Sequence, residues 1–574
     1  MRKLFDHFAS RLPLELRVLY GQFLLRVIDL EALSIEADVT GFLGQFAGVL
    51  IMISFVFVGR LIYPTLFMDQ AHTALFLREM TLQTEQSLIT MTFLVTGLIT
   101  VLSWDATFPD RRDVMVISPL PVRPYIILVA KVSASAAVLS LAVLSLNLPA
   151  SLVFSSLLGS LNGSVWGVVR FFCAYWFVIA AGSGFLYGSV LTIQAITTLL
   201  FPRRISLRIS ALLQLAAFAL FISVYFLEPS TPAFAALTLP QNQGFVLWSP
   251  PHWFLALMNQ LTGTLPPWLN WLAMRAWIGI GISTTGAALS LLLCYLQTMK
   301  RTVEEPDLVP GAGGSHWTPR IGNLLQTALV LFSLRSLTRS RQHRVAFAFF
   351  ASIVFAIALS MLHAELPPRK TIPVSMDYLI PTFVMMGFAT YGLRSIFSLP
   401  ISLTANWVLR TTQLRAPEKY FAATRITMFL FAVAPVWLVS AALAIPFTPF
   451  NAVAGHLVVL ALFGSVLVEL CLIGLYKVPF TCSFLPGKLN IQIVFWGILV
   501  VYLTVVVSFA EFENRALRNP NQLAILVCAL VAAIATLWAF NHSRAKSAEL
   551  YFEELPEELI TTLRLISAPP PRTD

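Results

Sequence analysis

Residues 104–131 read WDATFPDRRDVMVISPLPVRPYIILVAK, from Trp104 to Lys131. A long apolar run ends at Trp104. A short turn follows that gathers acids, arginines and prolines, and a second apolar run takes over around Lys131. Apolar run, charged turn, apolar run is the pattern of two membrane-spanning helices joined at one face of a bilayer. A looser echo stands some 290 residues later, from Arg394 to Arg425, as RSIFSLPISLTANWVLRTTQLRAPEKYFAATR.

The rest of the chain has the same character. Of its 574 residues 57% are hydrophobic and only 11% charged, against about 25% charged in a soluble domain. Lipid is the solvent that such a composition fits. The formal net charge of +10 is assigned to basic loops on one side of a membrane, not to nucleic-acid binding. The five cysteines, Cys173, Cys294, Cys471, Cys482 and Cys528, are scattered with no CxxC pair, as packing residues are. The N-terminal segment MRKLFDHFASRLPLELR lacks the short apolar core and small-residue cleavage site of a signal peptide.

Twelve runs are long enough to span: 41–63, 86–104, 125–157, 167–200, 207–227, 268–298, 345–362, 379–399, 426–447, 453–476, 491–510 and 522–541. Continuous apolarity without alternation predicts helices over a barrel. Most basic residues fall on one side when both termini are placed in the cytosol, with Lys300, Arg301, Arg320, Arg335, Arg339, Arg341 and Arg344 as the largest cluster. The segment from Glu228 to Pro267 has no Lys or Arg and is expected outside.

The polar stretch 301–320 divides the spans six and six. The expectation is an all-α polytopic protein: 1–300 as a first half, 301–320 as a linker, 321–545 as a second half and 546–574 as a cytosolic tail. Each half opens on an amphipathic stretch suited to the interface plane. Leu12, Leu16, Leu19, Phe23, Val27 and Leu30 lie at helical spacing in the first, and Ile321 to Leu337 is the counterpart in the second. Two spans and a charged hairpin then follow in each.

That order, with the hairpin residues Phe108, Pro109, Asp110, Arg111, Arg112, Asp113, Pro119, Leu120, Pro121 and Lys131 and the segment SPPHWFLALMNQL from Ser249 to Leu261, resembles the permease subunit of ATP-binding-cassette exporters of the second type. The resemblance implies that the hairpin docks in a groove of a separate nucleotide-binding subunit and passes ATP-driven closure to the spans. Two fused halves imply two copies of that subunit, with ATP and Mg bound there and no cofactor in this chain. The bacterial inner membrane is the implied location. The second hairpin departs from the pattern: Leu399, Pro400, Asn406, Trp407 and Arg410 replace the acid–arginine cluster. Independently of the resemblance, prolines stiffen the first turn and Arg111 and Arg112 offer multi-donor contacts to carboxylates.

No phosphate-loop sequence, zinc-protease motif or nucleophile elbow occurs, so an enzymatic role is not expected. A twelve-span secondary transporter is the alternative, followed by an integral-membrane transferase with Asp105, Asp110 and Asp113 as its acidic cluster. Few carboxylates within the spans are evident for proton coupling. Glu469, in VLVELCLIG, must face a partner or a cavity, and is a candidate for the substrate path. Arg60, Arg170 and Arg275 are expected to snorkel, His456 to be packed, and Gly182, Gly184 and Gly188 to allow close helix contact. A short interfacial helix is expected from Pro251, as a lid or a plug. Residues 551–565 form an acidic tail that could touch the ATPase.

Overall fold

The computed structural model describes residues 13–28, 39–67, 70–104, 117, 120–161, 165–228, 240–304, 320–365, 375–400, 417–445, 450–473, 479–480 and 491–547. Among them the chain is all-α, with no strand. Ten of the twelve expected runs lie in helices that, among the described residues, are long and apolar enough to cross a membrane, those at 41–63 and 491–510 being the exceptions, and the protein is a polytopic membrane protein.

In chain order the helices are α1 (Leu14–Ile28), α2 (Val39–Phe67), α3 (Gln70–Leu102), α4 (Pro124–Leu161), α5 (Val165–Leu200) and α6 (Arg203–Phe226). Then come α7 (Pro240–Trp248), α8 (Pro250–Thr262), α9 (Asn270–Glu304), α10 (Leu324–Arg339), α11 (Arg341–Glu365) and α12 (Met376–Phe397). The last are α13 (Pro417–Met428), α14 (Ala434–Ala444), α15 (Phe450–Leu472), α16 (Ile491–Ala516) and α17 (Pro520–Ser547). Helices α13 and α14 are one rod interrupted by a π-helical turn, Phe429–Val433. Pro435 lies in the first turn of α14. A proline there has no N–H for the carbonyl of the preceding turn and crowds it, which a π turn relieves.

The elements before and after 305–319 have parallel neighbours. Helix α1 packs on α4, and α10 on α13. Helix α2 touches α3 and α4, as α11 touches α12 and α14. Helix α3 packs against α4, α5 and α6, as α12 packs against α13, α15 and α16, and α5 meets α9 as α15 meets α17. One large seam, α6 on α11, joins the two groups.

Lipid tails are as apolar as leucine, so close packing and small residues must hold such a bundle. The sequence supplies both at matched places. Thr92, Phe93, Gly97 and Thr100 of α3 recur as Thr382, Phe383, Gly387 and Thr390 of α12, each 290 residues on. Gly97 faces the ring of Phe221 on α6, and Gly387 the ring of Tyr502 on α16; a Cβ at either would overlap the ring. Gly182 likewise faces Phe93 and Gly188 faces Ser283, whereas Gly184 faces open space.

The segment between α6 and α9 differs from the expected surface helix. Helix α8 begins at Pro250, but Pro251, His252, Phe254, Leu255, Ala256, Leu257, Met258 and Asn259 are all buried. It is wedged against α3, α5 and α9 as a plug. Its end is set by Gly263 at φ 81°, whose N–H bonds Gln260 O while Thr264 N–H reaches Asn259 O. The corresponding connection between α16 and α17 is a tight turn, 517–519.

Candidate functional site

The described chain before the two expected hairpins ends at residues 104 and 400, and each of these roots is fixed by side chains from other helices. At the first, Trp104 is buried. Its indole N–H donates to Ser210 Oγ on α6 at 2.7 Å, and its carbonyl accepts from Gln194 Nε2 on α5 at 2.5 Å. Gln214 Nε2 of α6 donates to Val101 O one turn earlier at 2.9 Å. Backbone carbonyls in the last turn of a helix lack intrahelical donors, and these amides and the following turn supply them. The chain returns through an exposed turn at Leu120 and Pro121 and enters α4 at Pro124. There Phe23 of α1 packs on Ile127, Ala130 and Ala134. Lys131 is buried, with its ammonium 5.2 Å from the centre of the Phe23 ring.

The second root is built from different residues. Leu399 O accepts from His343 Nε2 at 2.8 Å, and Ser340 Oγ bonds the other ring nitrogen at 2.7 Å. Phe480 N–H donates to Phe397 O at 2.9 Å. The Phe480 ring stands edge-on to Phe397, His343 and Phe332. Phe480 does this with φ at 67°, a left-handed backbone that is uncommon for a bulky residue.

Of the expected hairpin residues, Pro400 is half-buried just past this root. Phe108, Pro109, Asp110, Arg111, Arg112, Asp113, Asn406, Trp407 and Arg410 lie outside the described residues, as do Pro119 and the tail 551–565.

Glu469 has a complete set of partners. Arg425 of α13 binds it through both carboxylate oxygens, at 2.5 and 3.0 Å. Asn541 Nδ2 of α17 donates to its Oε2 and its backbone carbonyl, both at 2.9 Å. A two-pronged guanidinium–carboxylate pair is among the strongest polar contacts available, and here it ties three helices.

Further buried carboxyls, Glu85 and Glu513, lie on α3 and α16, so the spans are richer in ionisable groups than the apolar runs suggest. On α3, Gln86 Nε2 lies 3.3 Å from His252 Nδ1 of the plug and 3.3 Å from Thr90 Oγ1. Thr90 in turn reaches Glu228 Oε1 at 3.2 Å. Burial pushes the Glu228 carboxyl up to about 7, the Thr90 bond offsetting part of this. Burial holds the His252 imidazole down at about 4. Near Glu85, Thr92, Asn147 and Tyr175 bond one another, Tyr175 donating to Asn147 Oδ1 at 2.7 Å. On α15, His456 is buried and bonded to Glu513.

Two of the three arginines read as snorkelling fasten the plug segment. Arg170 Nε donates to Leu261 O at 2.8 Å, near the end of α8. Arg275 donates to Leu247 O at 2.6 Å, near the end of α7, and its guanidinium lies among Trp248, Trp253 and Trp271. A cation at a helix C-terminus also meets the negative end of its dipole. The side chain of Arg60 is outside the described set.

No protein-family description matches this chain, and no curated protein or solved structure matches it either. Among the described residues no His, Cys, Asp and Glu cluster could hold a metal ion.

Proposed function

We propose that the chain is the transmembrane subunit of an ATP-driven exporter, working with separate ATPase subunits that grip the hairpins 105–116 and 401–416. The observation that carries this reading is the repeated seat of an amphipathic helix on the helix that follows each hairpin, α1 on α4 and α10 on α13. A push delivered to a hairpin needs rigid flanks on both sides. Trp104 and Phe23 provide them in the first half, His343 and Phe480 in the second. The two roots differ in chemistry, so the hairpins grip with unequal strength, the first through Asp110, Arg111 and Arg112. The parallel neighbour relations support two six-span halves, one ATPase copy for each, and the excess of basic residues supports a cytosolic placing of the hairpin end in a bacterial inner membrane.

The test is co-purification of an ATPase subunit with the full-length chain. Asp110→Ala with Arg111→Ala is expected to abolish that association and the ATP turnover it stimulates. Unchanged binding and turnover reject the role given to the hairpin.

A second reading, a secondary transporter driven by protons, draws on Glu85 and Glu513, which are buried carboxyls within the bundle. Transport by the chain reconstituted alone, driven by a pH gradient without nucleotide, would favour it over the exporter.

A further inference from the structure

We propose that His456 and Glu513 form a proton-binding site, distinct from the hairpins, that holds one exchangeable proton between α15 and α16. The hydrogen bonds assign it. Thr382 Oγ1 has a single proton and donates it to Leu379 O at 2.7 Å. It therefore accepts from His456 Nε2, 3.1 Å away, and that nitrogen carries a hydrogen. The remaining contact, His456 Nδ1 to Glu513 Oε1 at 2.9 Å, holds one more proton.

Where that proton resides follows from the surroundings. Both side chains are 0% exposed. Glu513 Oε2 has no hydrogen-bond partner. Around the pair stand the rings of Tyr378 and Phe383 on α12, which meet the imidazole edge-on. Tyr378 is an ionisable neighbour of the pair, and its hydroxyl is engaged with Ser440 O of α14 at 2.8 Å; Tyr502 of α16 bonds Phe383 O. Asp377 of α12 is exposed, and Glu511 and Arg515 of α16 are exposed and face each other at 4.0 Å. An ionised carboxylate with a bare buried oxygen costs far more than a carbonyl oxygen in the same place. The proton therefore belongs to Glu513, which donates to a neutral imidazole.

In the first half the partners bonded to the matched threonine do not include the nearby buried carboxyl, Glu85. At the matched position Thr92 meets Asn147 and Tyr175, an amide and a phenol that keep their protons. In the second half that position carries a carboxyl and an imidazole, which exchange theirs. The proton is held on Glu513 where α15 and α16 meet, out of reach of solvent.

Infrared spectroscopy of the full-length protein in lipid nanodiscs tests this at neutral pH. The wild type is expected to show a protonated-carboxyl stretching band that shifts in heavy water. Glu513→Gln, which keeps a donor for His456 Nδ1, is expected to fold and to lose part of that band; His456→Gln is expected to keep the band and move it. An unchanged band in Glu513→Gln overturns the assignment. Failure of Glu513→Gln to fold also overturns it, since that outcome marks a buried imidazolium stripped of its counter-charge.

Discussion

Glu469 illustrates how a charge is kept inside an apolar bundle. Its cost is met by Arg425 and Asn541, 44 and 72 residues away in sequence, so the residue announces itself in the apolar run VLVELCLIG while its partners do not. Removing one member of a buried pair strands the other, typically at about 3–5 kcal/mol, whereas replacing both is much milder. Glu469→Ala is therefore expected to lower unfolding stability in micelles by about that amount, and Glu469→Leu with Arg425→Met by less. A loss equal in the single and double variants would deny the coupling. The plug makes a second residue-scale prediction, in two opposed parts. Glu228 moves from 4.5 to about 7 on folding, so between those values the folded chain holds the proton more firmly and stability falls as pH rises. His252 moves from 6.5 to about 4, so between those values the unfolded chain holds the proton more firmly and stability is lost as pH falls. Glu228→Gln should remove the loss on the rising side, and His252→Gln the loss on the acid side. Thermal midpoints across pH 4 to 7 read both, and variants that keep the wild-type profile would refute the assignments.

At the scale of elements, hydropathy located ten of the twelve expected spans among the described residues, but not the helix bounds. Helix α3 begins at Gln70, well before the apolar run at 86, because its first turns carry Gln70, His72, Arg78, Glu79, Gln83, Glu85 and Gln86. Those residues suit a helix but not lipid, and a reading tuned to lipid passes over them. The start of α8 was legible in Ser249-Pro250-Pro251, since proline fits the first turn of a helix; its burial was not, because that depends on α3, α5 and α9 closing around it. The repeat Thr92-Phe93, Gly97, Thr100 was legible at the spacing that relates the two hairpins, and it would have pointed to Thr382 and so to His456. Phe480 had no such signal, as no residue type betrays a left-handed phenylalanine. Its role is testable: Phe480→Gly relaxes the backbone but deletes the ring that touches Phe397, His343 and Phe332. Amide exchange at 396–399 is expected to quicken in Phe480→Gly and to stay slow in Phe480→Asn, if backbone geometry and its bond to Phe397 O alone hold the root. Fast exchange in both variants assigns the clamp to the ring.

At the scale of the whole molecule the seam between α6 and α11 is the part that breaks the parallel. It is well packed: Val101, Trp104, Phe218 and Ala348 are buried in it, and Phe218 meets Phe349 edge-on at 6.3 Å. Exchanging the two groups of helices carries α6 onto α16 and α11 onto α2. No comparable packing joins α2 to α16 among the described residues. Those helices instead expose Met52, Phe55 and Val56 on one side and Val500, Val501 and Val505 on the other. Only one of the two related seams is packed among the described residues; under the exporter reading, closure of the second is the step that ATP would drive. A packed seam requires its alternative arrangement to be discrete, since close-packed interiors do not deform continuously. With the native cysteines replaced, Val56→Cys and Val500→Cys are expected to cross-link in the complete complex when nucleotide is bound and hydrolysis is blocked, and not in its absence. Equal cross-linking in both conditions would mean that the seam does not move with nucleotide. No cross-linking in either would mean that the asymmetry between the seams is permanent, and under the exporter reading the hairpins would then have to act on the bundle through α4 and α13 alone.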